Sequence, residues 1–206
     1  MRAITGIEVQ RGGGRRAHVF LDGEPAFSLD VAVATEQGLA LGQALSDSRV
    51  EEILRAERHH RCRQAALRLL GYRPRSEKEI RDRLVRRFDG ETVDAVVREL
   101  AGRQAIDDEA FARFWRDNRE SFGPRGRGLL RAELRAKGVA ADVVDEVVQA
   151  VDEEEGAYRA AQRKARTLEP DYEVFRRRLG DFLRRRGYGY GVASRTVERL
   201  WRELGH

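Results

Sequence analysis

The chain has 206 residues, 41% apolar and 36% charged, with 40 basic against 35 acidic side chains for a net charge of +5. That balance allows a core but favours thin helical layers over a thick globule. No apolar run approaches the ~18 residues of a bilayer-crossing helix. The N-terminus lacks a secretory leader and the lone Cys62 excludes an internal disulfide or a thiolate metal cage, so the chain reads as a cytoplasmic protein.

The first thirty residues alternate. Ile7 and Val9 oppose Glu8 and Gln10, and Ala17, Val19 and Leu21 oppose His18 and Phe20, with "RGGGRR" and "DGEP" between the runs. Period-two alternation broken by glycine turns predicts a three-stranded antiparallel meander. The glycines at 12–14 lack the spacing and the Lys-Ser/Thr of a nucleotide loop, so they read as a hairpin turn. Asp30 is placed to cap a short helix to about Gln37, and Ser48 with Glu51 to cap another through Ile53 and Leu54.

From about residue 61 the pattern is helical. Pro74 ends the helix of "CRQAALRLLGY", and Ser76 with Glu79 opens the next, which buries Ile80, Leu84 and Phe88. The stretch "GYRPRSEKEIRDRL" is therefore a joint between helices, with Arg73 and Arg75 exposed at its corner.

This unit recurs at about fifty residues. Ile80 and Leu84 return as Leu130 and Leu134 and as Leu179 and Leu183. Val93, Val97 and Leu100 return as Val143, Val147 and Ala150, then as Ala193, Val197 and Leu200, and Gly138 and Gly187 close the second helix at matching places. The expected helices are 62–72, 76–88 and 91–103; 108–122, 125–137 and 140–151; 154–167, 171–186 and 190–204. The fold class is mainly α: three tandem three-helix repeats in a curved stack, after a small N-terminal β-meander with short helices. The domains are 1–60, then repeats at 61–106, 107–153 and 154–206. Phe111, Phe114, Trp115 and Phe122 line one face of the helix capped by Asp107, and Trp201 joins Val197, Leu200 and Leu204; at helical spacing both sets read as core.

Candidates for chemistry are few. His59 and His60 are adjacent, about 100° apart on a helix, and cannot share a metal. "VDEEEGAY" reads as the acidic first turn of a helix, and no Ser-centred elbow or Cys/His pairing occurs. No catalytic residue, metal or cofactor is expected. What remains is surface charge: Arg73 and Arg75, Arg125 and Arg127 in "GPRGRG", and the arginine triplets 176–178 and 184–186. A solvated face laced with ion pairs is one reading, and "EKEIRDR" partly fits it. The two triplets are not neutralised locally, which favours a polyanion- or partner-binding surface. On α-helical rotation Arg177, Arg178, Arg184 and Arg185 fall away from the buried stripe of Phe175, Leu179, Phe182 and Leu183 and, with Arg125 and Arg127, form a basic strip.

The stretches "ALRLLGYRPRSEKEIRDRL", "DDEAFARFWRDNR", "GPRGRGLLRAELRAKGV" and the opening "ITGIEVQ…VFLDGEPAFSL" together resemble the RecX family of bacterial recombination regulators, over essentially the whole chain. The resemblance implies three tandem three-helix repeats. It also implies a monomer that binds the filament of RecA on single-stranded DNA, and duplex DNA weakly. Such a protein suppresses ATP hydrolysis, strand exchange and coprotease activity, and so modulates recombination and the SOS response. The family has no fixed catalytic residues, so the eight arginines Arg73, Arg75, Arg125, Arg127, Arg177, Arg178, Arg184 and Arg185 are candidates by charge alone. A helical DNA-binding protein and a general helical-repeat scaffold are the alternative readings.

Overall fold

The computed structural model describes residues 1–10 and 16–205; the glycine turn expected at 12–14 lies outside the described residues, as does His206. The described residues hold four strands and ten helices, divided by their contacts into two units. One unit is Met1–Gly71 with Arg81–Gly102; the other is Tyr72–Ile80 with Arg103–His206.

The first unit opens with β1 (Arg2–Val9), β2 (Arg16–Leu21) and β3 (Glu24–Asp30), paired antiparallel as expected. Asp22 and Gly23, both at positive φ, make the two-residue turn between β2 and β3. A fourth strand, β4 (Ala44–Leu45), pairs with β1 and gives the order β3-β2-β1-β4. Two residues carry no readable alternation, so the strand was invisible in sequence. Helix α1 (Val31–Glu36) is capped by Asp30, whose carboxylate accepts from the Ala32 amide at 2.9 Å.

Helix α2 runs unbroken from Asp47 to Tyr72, where the sequence suggested two separate helices. No glycine or proline interrupts it before Gly71; what changes along it is the surface it packs against. Val50 and Ile53 share a core with the sheet residues Ile4, Val19 and Leu29, while Cys62 and Ala66 are buried further along. Glu57 sits between these stretches, buried, ion-paired to Arg16 of β2 and accepting from the Asp30 amide at 2.8 Å. A buried carboxylate is tolerable because it is paired on every side. The helix is capped by Ser46, whose hydroxyl accepts from the Arg49 amide at 3.2 Å. Ser48, the expected cap, lies inside the first turn because β4 ends only at Leu45.

Helix α3 (Glu77–Leu84) stops a turn earlier than predicted, leaving Phe88 half-buried. Helix α4 (Gly90–Gly102) buries Val93, Val96, Val97 and Leu100, and Asp89 accepts from the Thr92 amide at its start. It is tied to α2 by Arg63–Glu99 at 3.1 Å and to α3 by Arg81–Asp94.

The second unit holds α5 (Asp108–Phe122), α6 (Arg127–Ala136) and α7 (Ala141–Gln149), then α8 (Glu153–Ala165), α9 (Tyr172–Arg185) and α10 (Tyr190–Glu203). Each triplet has its own core. Phe111, Leu130, Leu134, Val144, Val147 and Val148 form one; Ala161, Phe175, Leu179, Leu183, Val197 and Leu200 form the other, with Trp201 against Phe175 at 5.0 Å between ring centroids. Leu84, Leu134 and Leu183, predicted as equivalent core positions, are all buried.

Two core assignments change. Ala150 is exposed and Val151 is buried. Leu134 and Val144 are ten residues apart, whereas Leu84 and Val93 are nine apart. A constant period of fifty therefore slips by one residue here, and one residue turns a helical face by about 100°. Phe122 is 86% exposed instead of core. It ends the fifteen-residue α5, about 22 Å long, which overruns the nine-residue α7, about 13 Å long.

Candidate functional site

Asp171 starts α9 by accepting from the Val174 amide at 2.9 Å, which sets the phase of everything after it. With Phe175, Leu179 and Leu183 turned inward, Arg176, Arg177, Arg178, Arg184 and Arg185 are all exposed. Arg176 is paired with Glu173 at 2.7 Å, and Arg184 with Asp181. The side chains of Arg177, Arg178 and Arg185 make no hydrogen bond or ion pair among the described residues. Arg177 and Arg184 are seven residues, two turns, apart. Both line a groove of about 330 Å³ between α9 and α10, whose far side carries Tyr190 and Ser194. Arg178 and Arg185 form a parallel row about 100° further round the helix. Tyr190 is largely exposed beside this charge.

The corner arginines are different. Arg73, Arg75, Arg125 and Arg127 are half-buried, where the sequence placed Arg73 and Arg75 at an exposed corner. Arg73 pairs with Glu79 at 2.9 Å and donates to the Pro74 carbonyl at 2.7 Å. Arg75 also has partners within the protein. Arg125 lies 4.0 Å from Glu133. Arg127 donates to the Gln149 and Val151 carbonyls at 2.9 and 2.8 Å, closing the C-terminal end of α7. Their guanidinium groups hold helix ends together.

The same is true of the glycines in "GPRGRG". A Cβ at Gly126 would overlap the backbone of Gly187 and Tyr188, and the Gly126 amide donates to the Arg186 carbonyl at 2.8 Å. Nearby Arg186 is desolvated and faces Arg125, which together pull its proton affinity down, and it stacks over Phe182 at 4.7 Å. Sequence reasoning did not single out Arg186 because the triplet 184–186 gives no hint of which member turns inward.

Sequence reasoning also missed a matched pair of surface aromatics. Tyr72 ends α2 and Phe122 ends α5, and each is 86% exposed. Shifted by fifty residues, Tyr72 falls on Phe122, Pro74 on Pro124 and Arg75 on Arg125. That alignment was the available signal.

Cys62, His59 and His60 sit in the first unit. Burial, and then the Asp89 carboxylate, push the Cys62 thiol up to about 11, so it stays protonated at neutral pH. His59 lies 3.4 Å from Glu99, and His60 lies 3.8 Å from Asp30 on another side of α2. The acidic run Glu153–Glu155 forms the first turn of α8, capped by Asp152.

Family models for the first, second and third three-helix domains of RecX match residues 62–100, 107–148 and 152–197. The regulatory protein RecX of Clostridium botulinum (strain Eklund 17B / Type B) is 28% identical over 206 residues, covering 96% of each chain. That of Bacillus velezensis is 29% identical over 206 residues, covering 96% of this chain and 77% of its own. A crystal structure of regulatory protein RecX shares the fold with a TM-score of 0.68 at 24% identity, across all of this chain and 95% of its own. With three helical domains matched in order and relatives aligned almost end to end, the chain belongs to the RecX family.

Proposed function

We propose that this chain is a non-enzymatic regulator of RecA. It binds the RecA filament on single-stranded DNA and slows its ATP hydrolysis, strand exchange and coprotease activity. The observation that carries this reading is the outer face of α9, where Arg177, Arg178 and Arg185 stand unpaired beside Arg184. Unpaired guanidinium groups on a rigid helix suit phosphates or acidic protein surfaces, both of which a nucleoprotein filament offers at regular intervals. The exposed rings of Tyr72 and Phe122 are of the type that anchors protein interfaces. Contacts repeated over several protomers would add through avidity, and a bridge between protomers would oppose the movements that accompany hydrolysis. Among the described residues no helix is long and apolar enough to cross a membrane.

The test is DNA-dependent ATP hydrolysis by RecA with and without this protein. Sub-stoichiometric amounts should slow turnover, and unchanged turnover at equimolar protein would overturn the reading. Replacing Arg177, Arg178, Arg184 and Arg185 with alanine should weaken inhibition and flatten its salt dependence while leaving helical CD unchanged. A quadruple variant as inhibitory as the parent across a salt series would remove these arginines from the interface. Retained binding to naked duplex without any effect on RecA would favour a plain DNA-binding protein.

A further inference from the structure

The unbroken course of α2 sets up a second basic site, in the first unit. Arg61, Gln64 and Arg68 fall at i, i+3 and i+7, so they stack along one exposed face of the helix. The turn after α3 brings Arg87 and Phe88 to the same place, and together they line a groove of about 520 Å³ closed by His60 and the start of α1.

Its charge is uncompensated. The side chains of Arg61, Arg68 and Arg87 make no hydrogen bond or ion pair among the described residues. Three other arginines of this unit are matched to carboxylates, in Arg16–Glu57, Arg63–Glu99 and Arg81–Asp94. The acid in the lining is Asp30, and its carboxylate is already engaged, accepting from the Ala32 amide at 2.9 Å and lying 3.8 Å from His60. Three guanidinium groups around one groove repel one another and favour an anion between them. Guanidinium forks match phosphate oxygens in pairs.

Size argues for a strand and against a lone phosphate. Seven residues of helix separate Arg61 from Arg68, about 10 Å, too far for one phosphate to bridge and within reach of successive phosphates on a strand. Gln64 stands between the two arginines with an amide that can both donate and accept, and the half-buried Phe88 offers a ring to an unstacked base. We propose that this groove binds single-stranded DNA, with Arg61, Arg68 and Arg87 on consecutive phosphates and Phe88 against a base.

The proposal shares only the strand with the filament reading above, and the two fail separately. The measurement is fluorescence anisotropy of a labelled oligo(dT) with the full chain, without RecA, over a salt series. Changing Arg61, Arg68 and Arg87 together to alanine should weaken binding at least about tenfold and reduce the slope of log K against log salt by about 2, as expected for three lost phosphate contacts on a single strand. The corresponding lysine triple variant should keep the slope. Arg68→Glu alone, at an exposed helix position, guards against misfolding and should also weaken binding. An alanine triple variant with the parent's affinity and slope would overturn the proposal. So would competition by inorganic phosphate at the same phosphate concentration, which would mark a small-anion site. If the parent binds oligo(dT) through this groove yet leaves RecA turnover unchanged, the groove stands and the filament reading fails.

Discussion

Two joints in the second unit occupy equivalent places and are built from different chemistry. At the first, the start of α3 lies against the turn after α6: the Ser76 hydroxyl donates to the Lys137 carbonyl at 2.7 Å, and Lys137 pairs with Glu79 at 2.5 Å. At the second, the start of α6 lies against the turn after α9: the Gly126 amide donates to the Arg186 carbonyl at 2.8 Å, with no side chain between the backbones. The turns match. Gly138 and Gly187 both have positive φ, and the following amides of Val139 and Tyr188 donate back to Leu134 and Leu183, each at 3.2 Å. The acids match too: Asp108 accepts from the Glu77 amide and Glu153 from the Arg127 amide, at 2.8 and 2.9 Å. What differs is the spacer. One joint keeps the backbones a hydroxyl apart and fills the gap with an ion pair, whereas the other brings them into contact and can do so only with glycine. The same docking geometry therefore tolerates polar substitution at the first joint and none at the second.

The largest expected effect tests whether the cores beside the joints are equal. Leu134→Ala and Leu183→Ala each remove a fully buried side chain and should each cost about 2–5 kcal/mol by chemical denaturation. A mild loss at one of them would show that its domain repacks and that the equivalence is only of position. Next is Gly126→Ala, which drives a methyl into the Gly187 backbone and should cost about 3 kcal/mol; a variant melting like the parent would mean the second joint can open without penalty. At the equivalent position of the first joint, Ser76→Ala removes a hydroxyl that donates to the Lys137 carbonyl and accepts from the Glu79 amide. It should cost about 1–2 kcal/mol, less than the glycine change, and the reverse order would invert the contrast between the joints.

The smallest effect is in pH. Burial alone would raise the Glu79 carboxyl, but Arg73 and Lys137 outweigh it and hold the group below its ordinary value of 4.5. A depressed folded-state value stabilises the protein above pH 4.5, and that contribution is lost as pH falls further. Glu79→Gln should therefore flatten part of the acid side of a melting-temperature profile. The second joint has Leu129 at the matching position, so Leu129→Gln should leave the shape of that profile unchanged. Profiles that coincide for Glu79→Gln and parent would place the acid sensitivity elsewhere.

Sequence alone determined the parts of this protein that depend on local, periodic chemistry. The three-helix units, the caps at Asp30 and Asp107, the glycine turns at 138 and 187 and the buried Leu84, Leu134 and Leu183 follow from helical spacing and from side chains that act on their own backbone. The exposure of Arg177, Arg178, Arg184 and Arg185 was legible for the same reason: the phase of α9 follows from its apolar stripe. Only tertiary structure decided which arginines were already engaged. Arg127 and Arg177 look alike in sequence, yet one closes α7 and the other faces solvent, because the partners of Arg127 are backbone carbonyls more than twenty residues away. The groove of Arg61, Arg68 and Arg87 was hidden on the same grounds: it needs a turn of α3–α4 laid against α2, and no local pattern records which side of a helix a distant turn will reach.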